Sequence, residues 1–125
     1  MSNPISKKMK TGTIGELLVQ LRLLQFDVQA NFPLKDTGND LIAIKGEKFR
    51  TIQVKTSTVK AFPKQGLPAH YHLFALVHLE GENKDIFLDE SNIYLIPKTI
   101  VENWNSDNEL RDYLLSQGIV DKLFD

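Results

Sequence analysis

The residues whose types and spacing could do chemistry lie within residues 38–57. Asp40 opens one apolar run, and the triplet Gln53-Val54-Lys55 closes the next. A Gly-Glu turn joins the two runs, which predicts a β-hairpin. Pairing brings Asp40 to the end that holds Gln53 and Lys55, and these two share a face because side chains alternate along a strand. A carboxylate, an amide oxygen and an ammonium then converge, and such groups could hold a divalent cation and activate a water.

Each of these residues also has a structural explanation. Asp40 ends the sequence Asp-Thr-Gly-Asn-Asp, which is turn chemistry, yet it lies one step inside a predicted strand, where aspartate is disfavoured. Lys55 taken alone would be a surface lysine on the polar face of a strand. Glu16 is explained as the acid of a capping box that begins at Thr13. That role is compatible with a carboxylate that points toward the end of the sheet.

The first half of the chain predicts a helix, a strand and the hairpin. Helical spacing predicts a helix over residues 13–25 with one apolar face, formed by Ile14, Leu17, Leu18, Leu21 and Leu24. Alternation of apolar and polar residues predicts a half-buried strand over residues 26–32, which ends at a proline. The hairpin strands are residues 40–45 and 49–57.

The second half predicts a mobile loop, a central strand covered on both faces, two short strands, a short helix and a terminal amphipathic helix. In that order, these span residues 58–70, 71–79, 85–88, 92–96, 98–104 and 108–116. Pro97 suits the start of the short helix, and Gly118 suits the cap of the last one. The fold class is therefore α/β, with a central mixed sheet flanked by helices in one domain over residues 1–125.

Composition sets limits on the class of protein. The chain is 42% hydrophobic and 25% charged, as in an ordinary globular protein. It has no cysteine, which excludes disulfides and thiolate zinc sites. No apolar run has the length of a membrane span, and the N-terminus lacks the apolar region of a signal peptide, so we expect a cytoplasmic protein with no membrane contact.

Charge is distributed unevenly along the chain. Residues 1–64 carry eleven Lys/Arg and five acids, whereas residues 65–125 carry four Lys/Arg and eleven acids. This asymmetry predicts a basic functional face and an acidic flank, although runs of charge are also common on ordinary solvated surfaces. Of the three histidines, His72 and His78 are too far apart for one metal. His70 and His72 could bind a metal together, but no third zinc ligand is evident. We expect structural or substrate-contact roles for them.

Three features of the sequence together resemble the PD-(D/E)XK phosphodiesterases. They are the helix with Gly15 and Glu16, then Asp40, and then Gln53-Val54-Lys55. Within that superfamily they are most similar to Holliday-junction-resolvase-like nucleases and small homing endonucleases. The family core runs α-β-β-β-α-β, with a Glu on the helix, an Asp on the second strand and a (D/E/Q)xK motif on the third. Residues 11–57 match this order, and residues 71–125 match only as generic α/β structure.

The resemblance implies a role for each matching residue. Asp40 would be the central ligand of Mg²⁺ or Mn²⁺, and Glu16 would bind the metal directly or through water. Gln53 would offer its side-chain oxygen beside the Val54 carbonyl, and Lys55 would orient and activate the attacking water. Glu16, Asp40, Gln53 and Lys55 would thus be the catalytic residues. The family usually has an acid where this chain has Gln53, and a connector helix where residues 58–70 are rich in Pro and Gly.

The sequence therefore predicts a metal-dependent DNA endonuclease that hydrolyses phosphodiester bonds, with DNA and a second copy of the chain as partners. Phosphate contacts are expected from basic residues of the first half: Lys7, Lys8, Lys10, Lys60 and Lys64. Phe62 could insert toward bases or simply pack. The homodimer could form through strand 71–79 or through the C-terminal helix with Trp104 and Tyr113. The alternative is a catalytically inactive nuclease-fold DNA-binding or regulatory module, and an acidic protein-interaction domain ranks last.

Overall fold

The computed structural model describes residues 4–34, 38–63, 66–82 and 85–125. Over these ranges the chain forms three α-helices, one 3₁₀ turn and a single five-stranded sheet. In chain order the elements are α1 (Lys7–Leu24), β1 (Gln29–Asn31), β2 (Leu41–Lys45), β3 (Lys48–Ser57), β4 (Leu73–Glu82), β5 (Asp85–Pro97), α2 (Lys98–Glu102), the 3₁₀ turn (Leu110–Tyr113) and α3 (Gln117–Leu123). None of the described helices is long and apolar enough to cross a bilayer.

The sheet is mixed, and its strand order follows the chain order. β3 and β4 are parallel, and every other neighbouring pair is antiparallel. The predicted α/β class with a central mixed sheet is confirmed. A parallel pair needs a crossover connection, and the described residues between β3 and β4 contain no helix.

The hairpin of β2 and β3 forms as the sequence predicts. Its register runs from Leu41 opposite Ile52 to Lys45 opposite Lys48. Gly46 closes the turn with φ of 61°, a conformation that glycine adopts without steric cost. β4 lies between β3 and β5, so the predicted central strand is also confirmed.

Helix α1 begins earlier than predicted. The Ser6 hydroxyl accepts a hydrogen bond from the Met9 N–H at 3.1 Å and caps the helix. Nothing in residues 7–12 breaks a helix strongly enough to stop it from extending back to this cap. The capping box of Thr13 and Glu16 is therefore wrong, since both residues lie inside the helix.

The face that α1 buries also differs from the predicted one. Gly15, Leu18, Val19 and Leu23 are buried, whereas Leu17, Leu21 and Leu24 are each more than half exposed. Gly15 faces the sheet at a distance that only a glycine allows, because a Cβ at this position would lie 1.8 Å from Thr56 Oγ1 of β3. Close packing at Gly15 sets the rotation of the helix, and helical periodicity alone does not show it.

Three further elements differ from their predicted extents. β1 is shorter than residues 26–32, because Asp27 adopts φ of 63° in the turn that follows α1. The two short strands expected at 85–88 and 92–96 are one strand, β5. Its pairing with β4 shifts register between His78 and Glu80. The buried Ser91 hydroxyl stabilises this irregularity by accepting from the Glu80 N–H and donating to the Phe87 carbonyl.

The C-terminal region was predicted least well. The helix expected at residues 108–116 is only a 3₁₀ turn, and the last helix, α3, begins after Ser116. The Ser116 hydroxyl accepts from the Ile119 N–H, so this serine is a cap and Gly118 lies inside the helix. The short helix α2 does form after Pro97, as predicted.

Two hydrophobic cores cover opposite faces of the sheet, since alternate residues of β4 enter different clusters. α1 and α3 pack on one face, and α2 and the 3₁₀ turn pack on the other. Both edges of β4 are paired, and Trp104 contacts Phe62 and Tyr113 within the chain. Both edges of the predicted strand 71–79 are thus used within the sheet, whereas Trp104 and Tyr113 are half-buried, and the dimer interface expected there stays a prediction.

Candidate functional site

Asp40 is attached to β3 by two hydrogen bonds. Its backbone N–H donates to the Ile52 carbonyl at 3.1 Å, and its Oδ2 accepts from the Val54 N–H at 2.8 Å. The carboxylate thus lies against the backbone between Gln53 and Lys55. The hairpin thus brings Asp40 to the part of β3 that carries Gln53 and Lys55, as the sequence predicts. The second bond fixes the orientation of a half-buried carboxylate, because a backbone N–H is a directional donor.

Gln53 and Lys55 share one face of β3, while Ile52 and Val54 enter the core on the α1 side. The Gln53 Oε1 atom is buried and has no hydrogen-bond partner among the described residues. Buried amide oxygens are nearly always hydrogen-bonded, so an unsatisfied one indicates a missing ligand or water. This oxygen is therefore a candidate to contact a bound cation.

Lys55 is half-buried beside Gly66, which belongs to the segment before β4. Its Nζ lies 3.0 Å from the position that a Cβ on Gly66 would occupy. The absence of a side chain at Gly66 therefore leaves room for the ammonium. The loop after β3 packs against Lys55, and the position of its charge is restricted.

Glu16 lies on α1, one residue after the close contact of Gly15 with Thr56. Burial raises the pKa of the Glu16 carboxyl, and the nearby charge of Asp40 raises this pKa further. The two carboxylates are therefore close enough to repel each other. A cation between like charges would relieve that repulsion, so the pair could hold a metal.

Asn39 is a residue that the sequence did not single out. Its Oδ1 atom is buried without a hydrogen-bond partner in the described residues, immediately before Asp40. The sequence Thr-Gly-Asn-Asp is typical of a turn, and this explanation is sufficient for Asn39, so the sequence gives no sign of a further role. Asn39 is thus a second residue of this region with a buried, unsatisfied amide oxygen.

The donor set contains two carboxylates and neutral oxygens. In the described part of the chain, no group of three or more His, Cys, Asp or Glu side chains could hold a metal ion. Oxygen donors with few charges suit Mg²⁺, which keeps several of its waters when it binds to proteins. The residues present therefore fit a hydrated Mg²⁺ or Mn²⁺ better than zinc.

The histidines have structural surroundings. His72 Nδ1 accepts from the Thr51 N–H at 2.9 Å and so joins the loop before β4 to β3. His78 is buried, with its Nδ1 at 3.3 Å from a Glu80 carboxylate oxygen. His70 is exposed. His72 and His78 thus contact neighbouring parts of the fold, and the structural or substrate-contact roles expected of the histidines stay predictions.

The basic residues proposed for phosphate contacts lie in two places. Lys7, Lys8 and Lys10 are exposed at the start of α1. Lys60 is exposed as well, with its Nζ 6.0 Å from the centre of the Tyr94 ring, and Lys64 lies outside the described residues. Phe62 is stacked on Trp104 with centroids 4.3 Å apart, so its ring packs within the chain.

Comparison with known proteins finds a likeness among solved structures. The chain resembles a solved structure of the bacterial homing endonuclease I-Ssp6803I with a TM-score of 0.56 and 13% sequence identity. The match covers 94% of this chain and 95% of the other. No protein-family model and no curated protein sequence matches the chain. At this identity the likeness shows a shared fold over nearly the whole length.

Proposed function

We propose that this chain is a DNA endonuclease of the PD-(D/E)XK type, which uses a divalent metal to hydrolyse phosphodiester bonds. One observation carries the proposal: the carboxylate of Asp40 is bonded to β3 between Gln53 and Lys55. The shared fold with a bacterial homing endonuclease supports the same reaction class independently.

Mg²⁺ or Mn²⁺ is the cofactor that the donor set suits. Asp40 and Glu16 would hold the ion, together with the Gln53 side-chain oxygen and the Val54 carbonyl. The unsatisfied Gln53 oxygen and the repulsion between the two carboxylates support this assignment. When bound, such an ion polarises a phosphoryl oxygen and lowers the pKa of a coordinated water.

The chain's own residues supply positioning and charge. Lys55 would orient the attacking water with its ammonium and neutralise charge that develops on the non-bridging oxygens of the phosphorane-like transition state. Asp40 cannot swing away, because the Val54 N–H holds it. Gln53 gives the site one negative charge fewer than an acid would, so we expect relatively weak cation binding.

DNA would be held by the exposed lysines at the start of α1 and by Lys60, with Lys64 as a further contact outside the described residues. A chain of this size covers little more than one scissile phosphate. Cutting both strands of a duplex is simplest for a two-fold homodimer, and we propose that state for the active enzyme. Sedimentation of the purified chain would measure it.

A catalytically inactive DNA-binding or regulatory module is the second candidate. The neutral Gln53 and the absence of a three-acid cluster among the described residues favour it. Both candidates bind DNA, and only the nuclease cleaves it. Metal-dependent cleavage therefore separates them.

The test is incubation of the protein with linear, supercoiled and four-way-junction DNA in Mg²⁺, Mn²⁺ or EDTA. We expect cleavage of at least one substrate with metal, none in EDTA and none with Asp40→Asn. The exposed Asp89→Asn on β5 is a matched control that should cleave like the wild type. Binding without cleavage under every metal condition would favour the inactive module.

A further inference from the structure

A cleft on the sheet face opposite α1 takes no part in the proposed cleavage step. It has a volume of about 450 Å³, and its lining includes the apolar residues Phe62, Leu67, Pro68 and Trp104 and the polar Glu102. Small-molecule sites have this size and this mixture of many apolar and few polar groups. The cleft is therefore large enough for one flat heterocycle.

One short segment separates this cleft from the candidate catalytic site. Gly66 lies beside the Nζ of Lys55, and the next three residues line the cleft. Pro68 also approaches the site, because its Cβ is 3.8 Å from the Cβ position of Gly38, two residues before Asp40. A group held in the cleft would thus lie one chain segment away from the reacting phosphate.

The segment is anchored from the other side of the cleft. The Lys98 Nζ donates to the Ala69 carbonyl, lies 5.4 Å from the centre of the Tyr71 ring and is 3.7 Å from a Glu102 carboxylate oxygen. These contacts join α2 to the wall formed by residues 67–69. The cleft is therefore formed before any ligand arrives, which reduces the entropy lost on binding.

The polar groups of the cleft are a donor and an acceptor. Tyr71 contributes a hydroxyl and Glu102 a carboxylate, and both residues line the cavity. The pKa of Tyr71 is raised by burial and by the charge of Glu102, so its hydroxyl stays protonated and can donate. Nucleobase edges present donors and acceptors side by side, which suits this pair.

The aromatic wall and the charge of the cleft indicate which part of a nucleic acid would enter. Phe62 and Trp104 are stacked with an interplanar angle of 4° and present aromatic surface to the cleft. Glu102 would repel a phosphate, whereas a neutral base has an apolar face for the aromatic wall and a polar edge for the two polar groups.

We propose that this cleft receives one unpaired nucleobase of the DNA, adjacent to the phosphate that is cleaved. This rests on the proposed function, because it assumes DNA at the catalytic site. A base that enters must leave its stack, which costs least where it is already unpaired, so the preferred substrates contain junctions, flaps, bulges or mismatches.

The experiment uses Trp104, the single tryptophan of the chain, as a fluorescent probe inside the cleft. In EDTA, which prevents cleavage, the full chain is titrated with single-stranded oligothymidine of about eight nucleotides and with an abasic strand of equal length. We expect a saturable change in Trp104 emission with the oligothymidine only. Its affinity should be at least about tenfold higher than that of the abasic strand, because base contacts are lost in the latter.

Two variants test the cleft itself. Tyr71→Phe should weaken oligothymidine binding several-fold and leave binding of the abasic strand unchanged. Glu102→Ala, which also removes a charge that repels phosphate, should lower the ratio of oligothymidine affinity to abasic-strand affinity several-fold. Glu90→Ala, an exposed glutamate of β5 outside the cleft, is the matched control. Equal affinity for both strands, or no effect of the two variants, would overturn the proposal.

Cleavage of the DNA panel by the same protein preparations separates this inference from the proposed function. Metal-dependent cleavage without a base-dependent change in emission would overturn the nucleobase cleft and leave the nuclease standing. A base-dependent change without cleavage in any metal would support the cleft and contradict the nuclease. Absence of both would overturn both.

Discussion

The contact between Gly15 and Thr56 predicts opposite effects for two similar substitutions in α1. Gly12→Ala adds a methyl group where no atom lies within 4 Å. Gly15→Ala adds the same group at 1.8 Å from Thr56 Oγ1 and 2.8 Å from Thr56 Cβ. The hydroxyl could rotate away, but the Cβ is fixed to the backbone of β3, so helix and strand must separate.

The magnitude follows from two opposing effects. Replacing glycine by alanine inside a helix stabilises it by about 1 kcal/mol, and both variants gain this. Forcing a methyl group into a packed interior costs about 1–3 kcal/mol, and only Gly15→Ala bears this cost. The free energy of unfolding of Gly15→Ala should therefore be about 1–3 kcal/mol below that of Gly12→Ala, with Gly12→Ala above the wild type.

Urea unfolding followed by circular dichroism measures both values. Thr56→Ala in the Gly15→Ala background should recover part of the loss, because it removes Oγ1 and Cγ2 and leaves only Cβ in conflict. Cleavage should fall with Gly15→Ala, since Glu16 moves away from Asp40. Equal stabilities for the two glycine variants would refute the close packing of α1 on β3.

Three further predictions concern the site and the DNA. Asp40→Asn and Lys55→Ala should abolish cleavage and leave DNA affinity within a few-fold, as fluorescence anisotropy would show, because both act on the transition state; equal losses of binding and cleavage would contradict these roles. In EDTA, the free energy of unfolding of Glu16→Gln, compared with that of the wild type, should be higher at pH 7 than at pH 4. The pKa of Glu16 in the folded state is raised above its ordinary 4.5, so the wild type loses stability as the pH rises through that pKa, whereas the variant does not. A difference in urea midpoint between the two proteins that does not change with pH would refute this prediction. Replacing the three lysines at the start of α1 by alanine should weaken DNA binding and lower its salt dependence, whereas unchanged salt slopes would place the phosphate contacts elsewhere.

The hairpin and its end could be predicted because local chemistry specifies them. The glycine turn at Gly46 fixes the register, and the register alone places Asp40 beside Gln53 and Lys55. The central position of β4 follows from an apolar run that only a doubly covered strand tolerates. These signals need no knowledge of distant parts of the chain.

Long-range packing decided the parts that the sequence did not show. The rotation of α1 depends on a contact between Gly15 and Thr56, 41 positions apart in the chain. β5 continues past its irregular pairing with β4 because the Ser91 hydroxyl bonds to the Glu80 N–H and to the Phe87 carbonyl. No local sequence pattern predicts these two hydrogen bonds. Near the C-terminus, the spacing of leucine and tyrosine predicts an α-helix, but these residues form only a 3₁₀ turn.

The most direct test of the central claim is the Mg²⁺ dependence of cleavage by wild type, Gln53→Glu and Gln53→Ala. If Gln53 donates a neutral oxygen to the cation, Gln53→Glu should lower the Mg²⁺ concentration for half-maximal cleavage through added Coulomb attraction. Gln53→Ala should raise it. Three superimposable curves, or no cleavage at any Mg²⁺ concentration, would contradict a metal site at the end of this hairpin.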